Sequence, residues 1–154
     1  MGRITEKLAS LGLELPPAPK PVAAYIPAVL YGNLLFISGQ LPLKDGKLLH
    51  TGKVGQEVSI EEAYAAARQC TLNALSVAQD VLGDLDRITQ IVKVGGFVQS
   101  ADGFSDQPKV INGASELLGE IFGEQGRHAR AAVGVNELPL NAAVEVEFVI
   151  GVAD

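Results

Sequence analysis

The chain has 154 residues, 47% of them hydrophobic and only 5% aromatic, enough for one domain (residues 1–154) with an aliphatic, alanine-rich core. A formal net charge of −6 and a pI near 4.9 exclude a generic nucleic-acid surface, which needs clustered Lys and Arg against phosphate. One cysteine, Cys70, cannot close an internal disulfide, and neither a signal peptide nor a bilayer-long apolar run is present, so the cytoplasm is the default and no membrane partner is expected.

Ile4 to Leu13 carries apolar residues at helical spacing and stops at Gly12. The proline-rich stretch from Leu15 to Pro21 then reads as an extended arm, so residues 1 to about 22 form a helix plus connector ahead of the sheet. Ala28–Tyr31 and Leu34–Ser38 around Gly32-Asn33 predict a hairpin, followed by a Gly- and Lys-rich loop from Leu43 to Gly55. Ser59 and Glu62 form a capping-box pattern opening a long helix, whose small inner stripe (Ala63, Ala67, Cys70, Ala74, Val77, Ala78, Val81) predicts close packing on a sheet. Gly83 ends it. Ile88–Val98 predicts a strand, in which Gly95-Gly96 mark a bulge or close packing. Pro108 opens a second helix with Val110, Ala114, Leu117, Ile121 and Phe122 inward, its regularity weakened by Gly113 and Gly119.

The chain closes on two strands. Arg130 begins the first, and on the second Val144, Val146, Phe148 and Ile150 share one face while Glu145 and Glu147 share the other. The order ββ-α-β-α-ββ predicts an α+β fold: a single β-sheet with two helices packed on one face. The other face then needs cover, which the apolar composition assigns to further subunits. A cation and a carboxylate on paired strands can bind an acid and activate a water. Spacing alone favours a solvated or acid-paired Arg130, with Glu145 and Glu147 as half-exposed strand carboxylates.

These residues resemble a known family. The stretch Arg130-Ala131-Ala132-Val133-Gly134-Val135-Asn136-Glu137-Leu138-Pro139, followed by Val144-Glu145-Val146-Glu147, is similar to the closing motif of the Rid (YjgF-like) family. Ser38-Gly39-Gln40-Leu41-Pro42 looks like its Ser-Gly-Gln-x-Pro motif, Tyr25 lies fourteen positions before Gly39 (39 − 25), and Asn112 matches its helical asparagine. The resemblance covers most of the chain from about Tyr25 onward. It implies the chorismate-mutase-like fold and homotrimers with sites between subunits. It also implies that Arg130 grips a carboxylate and that Glu145, fifteen positions later (145 − 130), orients or deprotonates a water. Gly39, Tyr25, Ser38 and Asn112 are the remaining substrate-binding candidates. Gly39 suits a close backbone approach, whereas Tyr25 closes the pocket or plugs the core. Ala132 stands where many members have cysteine, and Ser115 replaces a common helical aromatic.

The implied activity is cofactor-free hydrolysis of reactive 2-imino or enamine acids to 2-oxo acids and ammonia. The alternative is a non-catalytic trimer that holds small carboxylate metabolites in inter-subunit clefts. Ribonuclease activity, attached to some relatives by name, fits poorly with the acidic charge. His50 and His128 stand apart without a third ligand at metal spacing, so no metal is expected, and Arg127 reads as loop charge.

Overall fold

The computed structural model describes residues 2–18 and 24–154. Local signals set its elements. Gly32, at φ +63°, turns strand β1 (Ala28–Tyr31) back into β2 (Leu34–Gln40). The loop beyond contains a short ribbon, β3 (Leu43–Lys44) against β4 (Lys47–Leu48). Both bonds of the capping box form at the start of the long helix, here α2 (Ile60–Leu82): the Ser59 hydroxyl accepts from the Glu62 N–H, and the Glu62 carboxylate accepts from the Ser59 N–H. Those bonds hold the exposed Glu62 carboxyl below its usual range. Gly83, at φ +80°, ends the helix. The remaining elements are β5 (Ile88–Gln99), α3 (Gln107–Phe122), β6 (Ala129–Val135) and β7 (Val144–Val152).

An N-terminal helix, α1 (Arg3–Ser10), buries Ile4 and Leu8. Its opening N–H groups are capped from far along the chain, because the Asp86 carboxylate accepts from the backbone N–H of Arg3 and of Ile4, both at 2.8 Å. The same bonds hold the Asp86 carboxyl below its usual range. Of the proline-rich arm, residues up to Ala18 are described, and Pro19-Lys20-Pro21 lie outside the described residues.

The expected single sheet with both helices on one face is present: five strands in the order β1-β2-β7-β5-β6, beneath α2 and α3. The closing strands correct the sequence reading. They are not paired with each other, because β5 lies between them, antiparallel to β7 and parallel to β6. The parallel step is a β5-α3-β6 crossover, which a short turn could not provide. Glycine sets how closely the layers meet. A Cβ on Gly96 would stand 2.5 Å from Ile111 of α3, and one on Gly113 would stand 2.2 Å from the Tyr64 carbonyl of α2. Gly95-Gly96 therefore mark close packing, while the register shifts of β5 fall earlier, between Ile88 and Gln90 and between Ile91 and Lys93.

The α2 stripe is broader than its small residues suggest. Gln69, Thr71, Asn73 and Ser76 are also buried, because the Asn73 amide donates to the carbonyls of Leu41 and Leu43 and Ser76 donates to that of Pro16. The loop and the arm thus cover the outer side of the helix. At its end the stripe rotates: Val81, expected inside, is exposed, and Leu82 takes the buried position.

Among the described residues nothing covers the second face of the sheet. Val29 and Tyr31 on β1, Leu34 and Phe36 on β2, and Val133 on β6 are exposed there. Phe36 stands opposite Val149, and Phe97 stands between Glu145 and Val133. These side chains make that face of the sheet apolar.

Candidate active site

Period-two alternation on β7 divides its side chains between a dry and a wet layer. Val144, Val146, Phe148 and Ile150 enter the core, while Glu145 and Glu147 lie on the uncovered face. Glu145 is half-buried beside Gly39 of β2, where a Cβ would stand 2.1 Å from its Oε2. The absent side chain at Gly39 therefore makes room for the carboxylate. Gly95 does the same for Glu147, with a would-be Cβ 2.9 Å from the Glu147 Cγ. Burial, and then the nearby Glu147 charge, push the Glu145 carboxyl above the usual glutamate range.

Ser38, next to Gly39, ties down the segment that carries Tyr25. Its hydroxyl donates to the Ile26 carbonyl at 3.0 Å, and its N–H donates to the Pro27 carbonyl at 2.9 Å. Tyr25 itself is 60% exposed, so it is not the plug over the core that was one of its two readings. Ser38, Gly39 and Glu145 thus lie together at the end of β2, and the segment after Tyr25 is tied to them through Ile26 and Pro27.

Arg130 belongs to a second cluster. On β6 it is in register with Val94 of β5, which faces the helix layer, whereas Glu145 is in register with Phe97 on the uncovered face. Its Nη1 donates to Asn112 Oδ1 at 2.8 Å and to Ser115 Oγ at 3.2 Å, both on α3 and three residues apart on one helix face. Among the described residues no carboxylate lies within 4.0 Å of Arg130, and its Nε and Nη2 make no hydrogen bond. That free edge has the fork geometry that takes a carboxylate through two parallel bonds. Asn112 thus holds Arg130 through Nη1 and leaves the Nε and Nη2 edge open.

The placement of Arg130 and Glu145 on paired strands is therefore corrected. Two strand spacings, roughly 10 Å, separate β6 from β7, and the two side chains leave opposite faces of the sheet. A small acid held by Arg130 does not reach Glu145 of the same chain.

Two residues at the Arg130 cluster were missed as participants. Ser115 reads from sequence only as a departure from the family pattern, and His128 as an isolated loop histidine, yet Ser115 Oγ lies 2.8 Å from His128 Nε2. The available signal was the two-residue step from His128, just ahead of β6, to Arg130. His50 instead pairs with Glu62 at 3.3 Å, and the exposed Arg127 lies 3.8 Å from Glu124. Cys70 is fully buried against β7, and burial pushes its thiol well above the usual range. No helix among the described residues is long and apolar enough to cross a membrane.

Residues 5–151 match the family model described as "YjgF/chorismate mutase-like, putative endoribonuclease". Among curated proteins, the chain is 46% identical over 150 residues to Protein TCP17 of Trypanosoma cruzi, covering 97% of this chain and 94% of that one. It is 29% identical over 140 residues to a 2-iminobutanoate/2-iminopropanoate deaminase of Dermatophagoides farinae, covering 90% and 93% respectively. Among solved structures, Atu1372 of Agrobacterium tumefaciens, a protein of unknown function, superposes with a TM-score of 0.92 at 45% identity, covering 98% of this chain and 93% of that one.

Proposed function

The chain belongs to the YjgF/chorismate mutase-like, or Rid, family, and on that footing we propose that it hydrolyses small 2-imino acids to 2-oxo acids and ammonia. The observation that carries the reading is the pair of unfinished half-sites. One is a guanidinium with a free bidentate edge, and the other is a half-buried carboxylate on an uncovered apolar face. They complete each other only across an interface. In a cyclic homotrimer, Arg130 of one copy meets Glu145 of the next. The apolar faces that carry Phe36 and Val133 are then buried, and every interface is alike.

In this arrangement Nε and Nη2 of Arg130 hold the substrate carboxylate, and Asn112 keeps the guanidinium from turning away. Glu145 of the neighbouring copy orients a water toward the C=N carbon. As the water oxygen bonds to that carbon, the imine nitrogen gains a proton and a carbinolamine forms. The carbinolamine hydroxyl then gives up its proton through Glu145 to the nitrogen, the C–N bond breaks, and ammonia leaves. Burial raises the Glu145 carboxyl above the usual glutamate range, the direction that suits its taking up and returning a proton. Imines hydrolyse unaided, so placement and electrostatics suffice. The imine deaminase relative from Dermatophagoides farinae supports this substrate class.

The test generates 2-iminopropanoate in situ, traps what remains with semicarbazide, and compares wild type with Arg130→Ala, Arg130→Lys and Glu145→Gln. Arg130→Lys should lose about 10- to 100-fold, since a charge-assisted bond is worth roughly 1.5–3 kcal/mol. Arg130→Ala and Glu145→Gln should each be inactive. Co-expressed in equal amounts, they should regain about one quarter of wild-type activity, because half of the copies bring an intact arginine to an interface and half of the neighbours an intact glutamate. Inactive mixed trimers would refute the split site. Binding of a 2-oxo acid without turnover by wild type would leave a carboxylate-binding module instead.

A further inference from the structure

Arg130 is held at one nitrogen by two side chains of α3. Its Nη1 has two hydrogens, of which Asn112 Oδ1 takes one at 2.8 Å and Ser115 Oγ the other at 3.2 Å. The Ser115 hydroxyl is in turn 2.8 Å from His128 Nε2, and His128 Nδ1 lies 2.6 Å from the Gly126 carbonyl. A carbonyl only accepts, so Nδ1 carries the ring hydrogen. In the neutral ring Nε2 must then accept, which turns the Ser115 O–H toward His128 and its lone pairs toward Nη1. With the ring neutral, every bond from Gly126 to Arg130 has a defined direction.

The start of this chain is itself fixed. Gly126 is buried, and a Cβ there would stand 2.3 Å from the Leu118 carbonyl, so the turn after α3 lies flat against that helix. Asn112 alone leaves the guanidinium free to swing about a single bond. With both Nη1 hydrogens engaged, its plane is set and only the Nε and Nη2 donors remain for a ligand.

We propose that Ser115 and His128 are positioning residues, His128 acting through the Ser115 hydroxyl to set the plane of Arg130 for capture of small 2-oxo and 2-imino carboxylates. The inference rests on the carboxylate-binding reading of Arg130. It adds to the site a serine–histidine relay that touches neither substrate nor reacting atoms. Its energetic effect falls on binding, because the guanidinium must otherwise be ordered when the ligand arrives.

The experiment titrates the full-length assembly with 2-oxobutanoate by calorimetry. Wild type is compared with Ser115→Ala, His128→Phe, the double variant and Ser115→Thr, each checked for its melting temperature. Each single loss should weaken binding about five- to tenfold, the effect of one hydrogen bond of this kind. The double variant should bind no more weakly than Ser115→Ala, since the two residues act in series. Ser115→Thr, which keeps the hydroxyl, should stay within about twofold of wild type. In the imine assay KM should rise with kcat nearly unchanged, a split that general destabilisation does not produce. Unchanged affinity in His128→Phe, or losses that add in the double variant, would overturn the relay while leaving the role of Arg130 intact. Absence of 2-oxobutanoate binding by wild type would instead remove the carboxylate reading, and the relay with it.

Discussion

Gly39→Ala separates the placement of Glu145 from the stability of the fold. The new Cβ would stand 2.1 Å from Glu145 Oε2, whereas ordinary contact begins at 3.4 Å, so the carboxylate must retreat by about 1.3 Å (3.4 − 2.1). The atoms displaced are the far end of a flexible side chain, and the backbone at Gly39 is not in the left-handed region. The fold therefore tolerates the change. The smaller entropy of the unfolded alanine chain offsets part of the strain, and the net effect on stability should stay below about 1 kcal/mol. Catalysis is less forgiving, since a misplacement of about 1 Å costs on the order of a hundredfold. Urea denaturation and the semicarbazide-coupled imine assay on the same preparation should show near-native stability with kcat lower by about that factor. A variant that turns over within a few-fold of wild type, with its fold intact, would refute the idea that Gly39 exists to seat the carboxylate.

Other substitutions probe the packing and the charge. Gly113→Ala should destabilise by about 1–3 kcal/mol, because its Cβ meets the Tyr64 carbonyl at 2.2 Å and α2 and α3 must part. Gly119→Ala, in the same helix, where an added Cβ meets nothing beyond its own turn of helix within 4 Å among the described residues, should stabilise by about 0.5–1 kcal/mol, so chemical denaturation must give opposite signs. Ser59→Ala removes the capping box of α2 and should cost about 1 kcal/mol in the same assay. In the single chain, where no guanidinium faces Glu145, Glu145→Gln should raise stability at neutral pH. The folded state holds the Glu145 proton above the unfolded pKa of about 4.3, so stability in wild type falls as pH rises through that window. Denaturation at pH 4 and pH 7 should show the gain only at pH 7, and an equal gain at both would contradict the raised carboxyl.

The candidate site was legible in pieces. Glu145 and Gly39 could be named from their motifs, and the opposite faces of the valines and glutamates on β7 follow from strand period alone. The cluster around Arg130 was half visible. Asn112 was matched by resemblance, while Ser115 and His128 were not read as partners, because a three-residue step on a helix and a two-residue step into a strand mean nothing until the two elements are placed side by side.

The sequence by itself determined the hairpin at Gly32, the capping box at Ser59, the stop at Gly83 and the two amphipathic patterns that make a one-sided sheet. Each depends on residues within a few positions of one another, where backbone sterics and local hydrogen bonds act. Tertiary structure alone decided that β5 separates β6 from β7 and that Asp86 caps α1. It also decided that the arm and loop bury Asn73 and Ser76, and that Arg130 and Glu145 leave opposite faces of the sheet. Strand neighbours are chosen by which apolar faces and helix crossovers fit together across tens of residues. A pattern of period two marks a strand and its faces, and leaves its partner open.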